Sequence, residues 1–79
     1  MSVRIVEERA KHYGDPAVNV RRIAALWSAY LGTDITAHDV GWMMVLLKAS
    51  RSKVDPDHLD NYDDAHGYTD IAQTLRGEP

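Results

Sequence analysis

The hydrophobic positions of this chain recur every three or four residues. Between residues 16 and 31 the apolar stripe is Val20, Ile23, Ala24, Trp27, Tyr30 and Leu31, with Arg21, Arg22 and Ser28 off it. That spacing marks one buried helical face. Residues 37–52 are apolar nearly all round. Val40, Met43, Met44 and Leu47 fall on one side, and Trp42, Leu46 and Ala49 on the other. Such a helix is central in a fold or covered by a partner chain. A shorter segment, 3–13, is weakly amphipathic, with Val3, Val6, Ala10 and Tyr13 inward. No segment alternates at period two between turn residues, so no strand is expected.

The punctuation between these segments is helical. Gly14 suits a left-handed C′ position, Asp15 an N-cap and Pro16 a first helical residue. Gly32 closes the next helix. Thr36 to Asp39 reads as a capping box with Asp in place of Glu. Val54-Asp55-Pro56 repeats the cap-then-proline signal. The expectation is one all-α domain over residues 1–79, with four helices at about 3–13, 16–31, 37–52 and 56–76. A chain this short buries only about 60–65% of its unfolded surface. Trp27, Tyr30, Trp42 and Met43 are many large side chains for such a core. A homo-oligomer is therefore expected, completing the core by dimerisation with these four residues as interface candidates.

Composition removes several function classes. The chain has no cysteine, which excludes disulfides, thiolate metal sites and cysteine nucleophiles. Its longest apolar run, Trp42–Leu47, is far short of the ~20 residues that span a bilayer. Its first residues are too charged for a signal peptide. No membrane association and a cytoplasmic location are expected. No serine sits in a nucleophile elbow, and no phosphate-binding glycine loop occurs.

Charge changes the picture most. The net value is −3, but residues 1–54 carry eight bases and five acids, and residues 55–79 one base and seven acids. Without a basic stripe, general nucleic-acid binding is not expected. At about 100° per residue, Asp57, Asp60 and Asp64 share a side with Tyr68, Ile71 and Leu75. Those acids face the core's neighbour. Arg51 continues the stripe Val40-Met44-Leu47, with Lys48 beside it. A short connection makes the last two helices an antiparallel hairpin. Arg51 should then stand opposite Asp57 or Asp60, and Lys48 opposite Asp60 or Asp64.

Three readings of Lys48, Arg51, Asp60 and Asp64 are open. They could form a structural ion-pair network that sets the hairpin register. They could hold Mg²⁺, with Asp60 and Asp64 as its ligands, and a phosphate. A protein partner could complete the cluster. His66 lies three and four residues from Asp63 and Asp70, a metal-compatible spacing. Too few further ligands accompany it, so a solvated face is expected. His12, His38 and His58 read as cap or surface residues. Gly67 reads as a point of close helix approach.

The segments Tyr13-Gly14-Asp15-Pro16 with Asn19, Ile23–Trp27, Asp39-Val40 with Met43–Lys48 and Arg51, and Asp60-Asn61 with Asp64, Gly67 and Tyr68 resemble a family of small, mostly uncharacterised bacteriophage and prophage proteins. The resemblance covers most of residues 8–72. It implies a phage accessory protein of compact helical fold. A more distant similarity is to all-α nucleoside triphosphate pyrophosphatases of the MazG and dimeric dUTPase type. That likeness implies carboxylate-bound Mg²⁺ at a site shared between protomers. Asp60 and Asp64 with Lys48 and Arg51 resemble one half of such a site, but the first acidic motif, E-x-x-E, is missing. The expected function is a small helical module that binds a host or phage protein without catalysis. The alternative is Mg²⁺-dependent nucleotide binding or hydrolysis.

Overall fold

A computed structural model describes residues 15–79. It holds three helices, α1 (Pro16–Leu31), α2 (Ala37–Val54) and α3 (Asp60–Thr74). Among the described residues there is no strand. The helix expected over 3–13 lies outside the described residues, as does His12. The expectation of four helices thus reduces to three in the part described.

Local chemistry sets the ends of α1 and α2. The Asp15 carboxylate accepts the Ala17 N–H at 2.8 Å, and Pro16 opens the helix. Gly32, at φ 69°, ends α1 in the left-handed conformation, and its N–H reaches Ser28 O. The loop then folds back onto α1. Ser28 Oγ accepts the Ile35 N–H at 2.8 Å and donates to the Ile35 carbonyl at 3.1 Å. Thr36 and Asp39 form a reciprocal capping box at the start of α2. Thr36 Oγ1 accepts the Asp39 N–H, and the Asp39 carboxylate accepts the Thr36 N–H. These bonds hold the Asp39 carboxyl below its ordinary pKa, the Thr36 backbone donor contributing most.

The hairpin turn is longer than the sequence suggests. The last helix was expected from residue 56, but α3 begins at Asp60. Pro56 and Asp57 belong to the connecting turn. There the His58 N–H meets Asp55 O, and the Asn61 N–H meets His58 O. Tyr62 donates its hydroxyl to the Pro56 carbonyl at 2.8 Å and fixes the turn to α3. The Asp55-Pro56 pair thus reverses the chain and does not start the helix.

The core is small. Val20, Ala24, Ala37, Val40 and Leu75 form it, with Trp27, Ile35, Met44, Tyr68 and Ile71 packed against it. The stripe on α1 ends earlier than its periodicity implies. Tyr30 is 89% exposed and Leu31 is also exposed. The chain turns at Gly32, and Ile35 from the loop packs on the core in their place. The backbones of α2 and α3 come close at Gly41. A Cβ built there would lie 2.8 Å from the Ala72 Cβ, so only glycine allows this crossing. Gly67, read from the sequence as a point of close helix approach, is buried on α3.

Candidate functional site

About two helical turns along α2 from Gly41, and about two turns back along α3 from Ala72, the same seam carries charge. Lys48 Nζ lies 3.0 Å from Asp64 Oδ2, and the two side chains are only 12% and 6% exposed. The antiparallel register that joins Gly41 to Ala72 therefore also joins Lys48 to Asp64. A lysine can lay its apolar stem along such a seam while its ammonium meets a carboxylate. The contact is charge-assisted, and burial makes its geometry costly to lose.

The other two members of the expected cluster stand apart. Arg51 is exposed and forms no salt bridge with Asp57 or Asp60 among the described residues. Asp60 is exposed, with His58 Nε2 3.9 Å away. Asp57 is in the exposed turn. The two Mg²⁺ candidates thus occupy different surroundings, Asp60 in solvent and Asp64 against Lys48. Among the described residues no three His, Asp or Glu side chains gather as a metal site. His66 and Asp70 are exposed, and they belong to no such group.

A second polar link crosses the seam near Gly41. Trp42 Nε1 donates to His38 Nε2 at 3.2 Å, and the rings meet edge to face. Indole N–H can only donate, so His38 Nε2 is the acceptor. His38 Nδ1 then carries the proton and donates to Ala72 O at 2.7 Å. This corrects the expectation of an ordinary cap or surface histidine. The i, i+4 spacing of His38 and Trp42 was visible in sequence, but the Ala72 carbonyl that His38 meets on α3 was not.

A third link lies on the opposite flank. Arg21 grips Glu78 through both carboxylate oxygens, at 3.0 and 2.7 Å. The hydrogen bond raises the Arg21 pKa and lowers that of Glu78. The pair borders an open cleft of about 440 Å³ with Ser28, Asp34 and Thr36 on its wall. Neither Lys48 nor Asp64 lines it.

The interface candidates divide in the same way. Trp27 is half-buried and packs on the core. Tyr30 (89%), Trp42 (46%) and Met43 (38%) are exposed. Leu26 and Leu46 join them at 62% and 68%. Leu26 lies off the stripe expected for α1, and Leu46 was placed with Trp42 on the second apolar side of its helix but not among the interface candidates. No helix among the described residues is long and apolar enough to cross a membrane.

Comparison with known proteins places this arrangement. A family described as a domain of unknown function, DUF6378, matches residues 2–76. The Gene 55 protein of Mycobacterium phage D29 is 39% identical over 72 residues, which cover 91% of this chain and 48% of that protein. The Gene 55 protein of Mycobacterium phage L5 is 40% identical over 70 residues, covering 87% of the chain and 45% of the relative. The chain spans about half the length of these curated relatives. No solved structure matches it. The expectation of a small uncharacterised phage family stands, and no pyrophosphatase relationship emerges.

Proposed function

Given that the chain belongs to the DUF6378 family, with mycobacteriophage gene products among its relatives, we propose that it is a helical protein-interaction module. It binds a host- or phage-encoded protein, a second copy of the chain included, through exposed apolar side chains of α1 and of α2. One observation carries this reading: Leu26, Tyr30, Trp42 and Leu46 leave between 46% and 89% of their surface in solvent. Exposed aromatic and aliphatic side chains on rigid helices are the usual anchors of protein interfaces. Val18, also exposed, lies on the same α1 row as Leu26 and Tyr30 at i, i+4 spacing.

In this reading Lys48 and Asp64 serve the hairpin. The nucleotide alternative required four convergent charges, but Arg51 and Asp60 are exposed and apart from the pair. It is not favoured. The test is affinity capture from host lysate with wild type and a Leu26→Ser/Tyr30→Ser variant. A partner retained by wild type and lost by the folded variant supports the proposal. Equal recovery by both proteins, or no specific partner, overturns it.

A further inference from the structure

The outward face of α2 has an internal symmetry. Asp39, Trp42, Met43, Leu46, Ala49, Ser50 and Lys53 are all exposed. At about 100° per residue they fill one strip roughly 120° wide. The strip lies about half a turn from Val40, Gly41, Met44 and Lys48, which face the seam or are at least half-buried. It therefore runs the length of α2 without touching the three-helix core.

Its residues match in pairs about Leu46. Asp39 and Lys53 lie seven positions before and after it, Trp42 and Ser50 four, and Met43 and Ala49 three. Laid antiparallel on itself with Leu46 at the crossing, the strip sets each residue beside its counterpart. Acid meets base at both ends. Trp42 and Met43 meet Ser50 and Ala49, so large side chains enter the gaps left by small ones. Leu46 meets Leu46. A two-fold contact requires this kind of self-complementarity.

Trp42 is also positioned in advance. Its indole is held by His38, which is itself tied to Ala72 on α3. Less rotamer freedom is then lost on binding. Asp39 is fixed by the Thr36 cap and presents its charge at the same end.

We infer that the outward face of α2 binds a second copy of this chain, in an antiparallel two-fold contact centred on Leu46 and closed at each end by Asp39 with Lys53 of the other copy. The inference rests on the reading of the chain as an interaction module and names one partner of it. The α1 row of Leu26 and Tyr30 remains open for a different protein.

Sedimentation equilibrium of the full chain tests this independently of any lysate partner. Wild type should be a dimer that dissociates on dilution. Leu46→Asp should be monomeric, with unchanged helicity. Lys53→Glu leaves the α2 cap intact, sets acid against Asp39, and should weaken the dimer about ten-fold. Asp39→Lys should weaken it by the opposite repulsion. An equimolar mixture of the two charge variants should restore wild-type affinity, because each end then pairs acid with base. A wild type that stays monomeric into the millimolar range overturns the inference. So does a dimer indifferent to Leu46→Asp, or no recovery in the mixture. A monomeric result would leave the capture experiment with Leu26 and Tyr30 unaffected. Failed capture would leave the dimer standing.

Discussion

The two sides of α2 have nearly the same hydrophobic content but opposite environments. Inward, Val40 and Gly41 are buried, Met44 is half-buried, and Lys48 is paired with Asp64. Outward, Trp42, Met43 and Leu46 are exposed. What separates the sides is that the small residue and the charge of the inner one meet counterparts on α3, Ala72 and Asp64. Gly41 and Ala72 let the backbones meet, and Lys48 meets Asp64 two turns away. The difference teaches that apolar character alone does not say which side of a helix is core.

The comparison predicts that inner substitutions unfold the protein and outer ones do not. The largest loss should follow Asp64→Ala, which leaves the Lys48 ammonium buried opposite nothing of like strength. Breaking one partner of a buried pair costs about 3–5 kcal/mol, read by urea unfolding. Gly41→Val comes next. Its Cβ would sit 2.8 Å from Ala72 Cβ, and overpacking of this kind costs about 1–3 kcal/mol. Gly41→Ala should lose less, because alanine regains about 1 kcal/mol of helix propensity.

The capping box sharpens the comparison at the end of α2. Thr36→Ala removes the acceptor for the Asp39 N–H and should cost about 1 kcal/mol. Asp39 adds a pH dependence. Its folded pKa is lowered by the Thr36 backbone donor. Its stabilising effect is therefore fully present above the unfolded value of about 3.9, and is lost as pH falls through the lower folded value. Unfolding midpoints measured down an acid series should show this loss in wild type. Asp39→Asn should flatten it. The smallest effect belongs to the outer side. Leu46→Asp should change the stability of the dilute monomer by no more than about 0.5 kcal/mol.

Much of the scaffold was legible in the sequence because it is written in local chemistry. Asp15-Pro16, Gly32 and the Thr36–Asp39 box act within one turn of the chain, and each marks the helix end it was expected to mark. Angle and a short connection set Lys48 opposite Asp60 or Asp64, and the contact falls on Asp64. Residues whose role depends on a distant partner were missed. Gly41 matters because of Ala72, His38 because of the Ala72 carbonyl, and Arg21 because of Glu78. Tyr30 and Leu31 were put on the buried stripe of α1, Tyr30 also among the interface candidates, because periodicity does not reveal where a loop residue such as Ile35 will take over. The same blindness affected Asp60, which was expected to face α2 but is exposed at the start of α3.

The central claim is that Lys48 and Asp64 belong to the fold and the outer side of α2 to binding. Urea unfolding of wild type and Asp64→Asn, each with and without Mg²⁺ and a panel of nucleoside triphosphates, tests its first half most directly. A ligand held by the native state alone raises stability in proportion to its occupancy. The account predicts a markedly lower midpoint for Asp64→Asn and no shift with Mg²⁺ or nucleotide in either protein. An unchanged midpoint for the variant, together with a ligand-induced rise confined to wild type, would contradict it.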